Sequence, residues 1–227
     1  MTGSYEIVAF FVVTALGTKY VVKALMRLSA PRIANVLDLT IGAWLVITAI
    51  AAWQGWLAFG TMPPRLFFVL GAAAAFTIWF ASFSDFGASA ANAPIHWLVG
   101  YQAFRVAVEI FLHWGWREGF VPRQLTWESC NLDIVTGVTA IPVAFLAARG
   151  TIGKRGLLAW NIVGLALLVN VVTVAILSMP TPFRVFPEDQ VNRFVTRPPY
   201  VWLPAFLVPT ALCGHLLVFR RLRTSPA

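Results

Sequence analysis

Residues 93–115 read APIHWLVGYQAFRVAVEIFLHWG. The stretch is apolar enough to cross a bilayer, yet it carries an arginine and a glutamate near its middle. Gln102, Arg105, Glu109 and His113 follow one another at offsets of three, four and four. At 3.6 residues per turn all four share one helical face. A charge in the bilayer interior costs from a few to about 10 kcal/mol or more, depending on how the cost is measured. A span that keeps two such charges one turn apart pairs them, turns them into a bundle, or lines a site with them. This stretch makes the fold a helical membrane fold and marks where function is expected.

The rest of the chain agrees. Of 227 residues, 59% are hydrophobic and 11% are charged, with a mean hydropathy of +0.77. Soluble domains carry roughly 25% charged residues. Ten Trp and eighteen Phe suit a protein with two lipid interfaces, where amphipathic rings collect. The net charge of +8 is spread over segment ends and not gathered on one basic face, which excludes nucleic acid as a partner. The lipid bilayer is the expected partner, and protein partners are not specified by the sequence.

Seven apolar segments are predicted, at about 5–25, 33–56, 66–84, 95–116, 131–148, 157–178 and 200–219. They fill residues 1–227 as a single all-α integral membrane domain, a seven-transmembrane-helix bundle. MTGSYE at the start has no basic run, so the first span is expected to be retained. With the N-terminus outside, ten cations fall inside: Lys19, Lys23, Arg27, Arg32, Arg149, Lys154, Arg155, Arg220, Arg221 and Arg223. Six fall outside: Arg65, Arg117, Arg123, Arg184, Arg193 and Arg197. The excess of inside cations sets the N-terminus out and the C-terminus in. No repeat of 20–50 residues supports an inverted-repeat transporter plan.

In this topology the stripe of the fourth span descends from His113 at the outer surface to Arg105 near mid-depth. Glu128, Asn131 and Asp133 open the fifth span at the same outer end. The 179–199 loop adds Arg184, Glu188, Asp189, Asn192, Arg193 and Arg197. The leading expectation is an outward-open polar cavity that binds or translocates a small polar or anionic solute. Its ligand-binding residues would be Arg105, Glu109, Gln102, His113, Asp133, Asn131 and Glu128. Arg105 would hold the anionic group with its fork of donors, and Glu109 or Asp133 would be its counter-ion or a proton acceptor. Two other classes stay open. One is an intramembrane enzyme acting on a lipid or isoprenoid-like substrate, for which an apolar groove open to lipid would speak. The other is an accessory subunit in which Arg105 and Glu109 pair internally as glue between helices.

No cofactor or metal is expected. His96 and His215 both fall toward the inner face on spans four and seven, where two facing histidines hold a b-type haem. Ser84, Asp85 and His96 faintly resemble the zinc pattern of the seven-helix alkaline-ceramidase and adiponectin-receptor group. His215 stands alone in CGHLLVF, so a zinc ligand of that pattern is missing. Packing readings are preferred elsewhere. Gly71 and Ala72 to Ala75 are expected to let helices approach closely. Asp38 is expected to pair with Arg32 or Lys23, and Asn161 to bond a neighbouring helix.

Several stretches carry a resemblance: Tyr101-Gln102, Phe104-Arg105, Val108-Glu109 and Phe111; Glu128 with Asn131 to Ile134; Trp160-Asn161; Ser178 to Phe183; and Leu203-Pro204 to Pro209 with His215. Together they resemble a family of small multi-pass bacterial membrane proteins, over about Ile95 to Arg221. The resemblance implies a stand-alone multi-pass protein of bacterial type, expected in the inner (cytoplasmic) membrane, and carries no activity, ligand or catalytic residue with it.

Overall fold

A computed structural model describes residues 2–187 and 191–224, and every regular element among them is helical. The helices are α1 (Thr2–Ser29), α2 (Pro31–Trp53), α3 (Arg65–Phe83), α4 (Asp85–Ala91), α5 (Ile95–Gly100), α6 (Phe104–Arg117), α7 (Ile134–Ala148), α8 (Lys154–Leu177) and α9 (Val208–Thr224). Five stretches are long and apolar enough to cross a membrane: Tyr5–Ser29, α2, α3, α8 and Leu203–Thr224. α7 has 15 residues, about 22 Å of helix at 1.5 Å per residue, which is shorter than a hydrocarbon core of about 30 Å.

The expected fourth span is not one uniform helix. α5 and α6 are separated by a 3-10 turn at Tyr101–Ala103. Gly100 (φ −63°, ψ −33°) and Ala103 (φ −60°, ψ −19°) keep right-handed helical dihedrals, so the path is continuous but tightened. The turn is pinned to α9. Tyr101 donates its hydroxyl to the Thr210 carbonyl at 2.7 Å, and the Gln102 amide donates to the Ala211 carbonyl at 3.0 Å. α9 comes this close because residue 214 is glycine: a Cβ there would overlap the Tyr101 hydroxyl and lie 2.6 Å from Gln102 Nε2.

The last span runs about five residues further than expected, to Thr224, and opens with a π-helical segment at Leu203–Leu207. Pro209 has no N–H, so the Ala205 carbonyl loses its α-register donor. The indole of Trp44 donates to that carbonyl at 3.0 Å, and the Trp202 indole returns to the Leu45 carbonyl at 2.9 Å. These two bonds tie α2 to the start of the last span.

The bundle has two different ends. At one, α1 turns into α2, α3 ends, α7 turns into α8, and α9 ends; Arg27, Arg32, Arg149, Lys154, Arg155, Arg220, Arg221 and Arg223 belong to these turns and helix ends. Arg220 donates to the Ala81 and Ser84 carbonyls, both at 2.9 Å, and so closes the C-terminus of α3. Ser84 caps α4 by accepting from the Gly87 N–H at 2.9 Å, which is a structural role for a residue weighed above as part of a zinc pattern. At the other end, α1, α6 and the connections at 118–133 and 191–202 meet through stacked rings. Phe11 lies 4.4 Å from Phe111, and Tyr200 contacts Phe11, Phe111, Phe120 and Phe194 at 5.3–5.8 Å.

α1 and α2 pack as a hairpin, and α3 packs on α9, but α2 and α3 scarcely touch. A Cβ on Gly71 would meet nothing within 4 Å, and Ala72 and Ala73 face open space. Gly71, Ala72 and Ala73 thus stand beside a gap, although α3 itself packs closely on α9. Asp38 pairs with Lys19 and with Lys23, the latter at 2.7 Å, and not with Arg32.

Candidate functional site

Two features stand out inside the bundle: a buried polar chain through α6, α7, α8 and α9, and an apolar cavity on the other side of α9. The polar chain begins with local turn chemistry. The Asn131 side-chain oxygen accepts from the Asp133 N–H at 2.9 Å, an Asx turn at the entry to α7. Asp133 occupies the N-cap position, yet its carboxylate makes no cap bond. It is turned onto Arg105 instead. Arg105 Nε donates to Asp133 Oδ2 at 2.7 Å and Nη2 contacts Oδ1, a two-pronged ion pair. Arg105 is 2% exposed and Asp133 5%, so neither charge is shared with solvent.

The third prong of Arg105 fixes a histidine. Nη1 lies 2.9 Å from His215 Nε2. A guanidinium only donates, so Nε2 accepts and the proton of the neutral ring sits on Nδ1. That proton is donated to Asn161 Oδ1 at 2.8 Å, and the Asn161 amide donates back to the His215 carbonyl at 3.0 Å. Asn161 thus bonds a neighbouring helix as expected. His215 does not lie near the chain's basic end beside His96. With the helix continuing to Thr224, it falls at mid-helix, level with Arg105, and both its ring nitrogens are engaged. It cannot face His96 across a haem.

Glu109 is held separately. Both its oxygens accept from the Asn131 amide at 2.8 Å, and the same amide donates to the Leu125 carbonyl at 2.9 Å. Among the described residues no cation lies within 4.0 Å of Glu109. The internal Arg105–Glu109 pair is therefore replaced by Arg105–Asp133. The i,i+4 spacing puts the two side chains on one face, but the fork of Arg105 is satisfied more fully by a carboxylate aimed at it from α7.

The other expected members are dispersed. Gln102 belongs to the α9 contact, with its side-chain oxygen unpartnered among the described residues. His113 stacks face to face on Trp127, centroids 4.4 Å apart and 8° between planes, away from the ion pair. Glu128 is exposed. Glu188 and Asp189 lie outside the described residues. Asn192 is buried against Ala175 and Ser178. The polar groups that meet are Arg105, Asp133, Asn131, Glu109, His215 and Asn161. His215 was the member misassigned by the sequence reading, and the run of arginines at 220–223 was the signal that its span continues past it.

Arg105, Glu109 and Asp133 line a cavity of about 70 Å³ whose other walls, apart from Asn192, are apolar side chains such as Val108, Leu168 and Leu207. The larger cavity, about 360 Å³, lies between α1, α2, α3 and the last span. Met26, Leu37, Trp44, Ala73, Phe80 and Cys213 are among its walls. Thr40, Ala72 and Phe76 line it and are also exposed, so it opens sideways between α2 and α3. Cavities of 300–1,000 Å³ are the usual size of small-molecule sites.

An all-helical chain with five membrane-length helices, a buried ionic chain and a side-opening apolar cavity defines the class. Residues 61–223 match the model of a domain of unknown function (DUF8737), and the chain belongs to that family. The whole polar chain, from Gln102 to His215, lies inside the matched region, whereas α1 and α2 precede it. Neither the curated proteins nor the solved structures hold a match.

Proposed function

We propose that the protein is a multi-pass protein of a bacterial inner membrane that binds the apolar tail of a lipid-class molecule inside its bundle. In this reading α1, α2, α3, the α5–α6 unit, α7, α8 and the last span are the seven transmembrane helices, with the N-terminus outside and the C-terminus inside. The cation distribution supports that orientation. The observation that carries the function is the cavity of about 360 Å³ with apolar walls and a lateral mouth between α2 and α3. At that depth the medium outside the mouth is acyl chain, and an apolar slot open to it selects an apolar ligand. The polar chain around Arg105 holds α6, α7, α8 and α9 in register beside the slot.

Photo-crosslinking with a diazirine-bearing fatty-acyl lipid tests this reading. Label is expected on peptides of α2, α3 and the last span that wall the cavity, and Ala73→Phe, which fills it, is expected to remove that label. Label spread evenly over the lipid-facing surface and indifferent to Ala73→Phe would sink the reading.

A second reading, binding or translocation of a small polar or anionic solute, is favoured by one observation. Arg105 uses three of its five N–H groups and lines the 70 Å³ cavity together with Glu109. That volume takes about two waters at roughly 30 Å³ each, or one small ion. Proteoliposome uptake of small anions that is unchanged by Glu109→Gln would count against it.

A further inference from the structure

The large cavity has a basic flank to which the tail-binding reading gives no role. Lys19, Lys23 and Arg27 stand at offsets of four along α1 and form one ladder on its surface. Among the described residues, Asp38 is the carboxylate that faces them, and it contacts both lysines. Two ammonium groups on one carboxylate leave a positive charge over. Arg27, whose amino group meets Asn35 Oδ1 only at 3.5 Å, adds a second. The lysine side chains are 20% and 26% exposed, so the cluster is accessible from the surface and not closed within the bundle.

The same turns wall the cavity. Val22 and Met26 flank Lys23 on α1, and Leu37 and Ile41 flank Asp38 on α2; all four line the slot. The ladder rises about 12 Å over eight residues and points from the depth of the cavity toward the basic end of the bundle. The cations do not line the slot itself but stand on the adjoining α1–α2 seam; Ser29 carries the slot to the last turn of α1, where a polar end leaving it meets the ladder.

We infer that the occupant is an anionic, phosphate-headed lipid, with its acyl chain between α2 and α3 and its phosphate against Lys19, Lys23 and Arg27. The inference rests on the tail-binding reading above. Charge complementarity supplies the choice: a phosphate offers several acceptor oxygens to point-charge donors on successive turns, and a zwitterionic headgroup brings its own cation into an already positive site. Asp38 keeps the two lysines in place and lowers the charge when the slot is empty.

Trp44 lines the cavity and reports on its contents. The full chain would be reconstituted in vesicles of unbrominated phosphatidylcholine containing a minor fraction of either brominated-chain phosphatidylglycerol or brominated-chain phosphatidylcholine. The Trp44 component is the quenching lost in Trp44→Phe. Half-quenching is expected at about a fivefold lower fraction of the anionic lipid, the worth of one interfacial cation. Lys19→Gln with Lys23→Gln should erase that preference while leaving tail quenching, and Asp38→Asn, which releases both lysines, should widen it. Equal quenching by both lipids, indifferent to these changes, overturns the phosphate assignment and leaves tail binding standing. No Trp44-specific quenching by either lipid, with no effect of Ala73→Phe, overturns both.

Discussion

Arg105 is the residue around which the interior is arranged. An arginine inside an apolar bundle is tolerated when its donors are spent on groups that are themselves held. Here Asp133 is aimed by the Asx turn of Asn131, and His215 is aimed by Asn161. Removing one partner of such a pair leaves the other charge buried and unmatched. Arg105→Ala is expected to cost about 3–5 kcal/mol, and Arg105→Met with Asp133→Leu to recover most of it, since an apolar pair of similar volume is often neutral. Unfolding in mild detergent gives both values. A double-mutant cycle should give a larger coupling between residues 105 and 133, which are in contact, than between 105 and 109, which are not. A single variant as stable as the parent protein would contradict the arrangement. The neutral, Nδ1-protonated form of His215 belongs to the same logic, because no other form accepts from Arg105 and donates to Asn161.

At the scale of elements, the last span shows how a backbone defect is repaired from a distance. Pro209 removes the N–H that would serve the Ala205 carbonyl, and Trp44 of α2 supplies the missing donor. Trp44→Phe is expected to destabilise the protein by about 1–3 kcal/mol, the cost of a buried carbonyl without a partner. Pro209→Ala restores a local donor, so in that background Trp44→Phe should cost little. Thermal unfolding of the four proteins checks this, and equal losses in both backgrounds would argue against the exchange. The membrane-length helices were legible in the sequence, because long apolar runs bounded by Pro, Gly and Arg admit few other readings, whereas the short α4 and the break between α5 and α6 were not. The partner of Arg105 was less so. Periodicity reports which residues share a face of one helix, so it brought Glu109 forward. It says nothing about which side chain a neighbouring helix presents, and the pairing with Asp133 depends on a turn at 131–133. His215 was placed at the wrong depth for a similar reason: the arginines that follow it read as the end of the span, whereas they extend the helix. The cavity was invisible, since Gly71 and the alanines after it look the same whether a helix or a gap lies beside them.

For the whole molecule, orientation is the property most directly open to test. Cys130 is exposed, on the connection between α6 and α7, and Cys213 lies within the last helix. In a Cys213→Ser background, a membrane-impermeant maleimide is expected to label Cys130 in intact spheroplasts. Labelling only after the membrane is opened would reverse the proposed topology. The turn between α1 and α2, toward which the basic ladder points, belongs to the end opposite Cys130, so this measurement also decides which leaflet faces the ladder.

The stacked rings at the end that holds Cys130 have one more consequence. Phe11, Phe111, Phe120, Phe194 and Tyr200 lock α1 and α6 to the connecting segments, while at the other end α2 and α3 stand apart over an unfilled volume. The bundle is thus filled at one end and gapped beside α2 and α3, so added side-chain volume is accommodated at the gap and not among the rings.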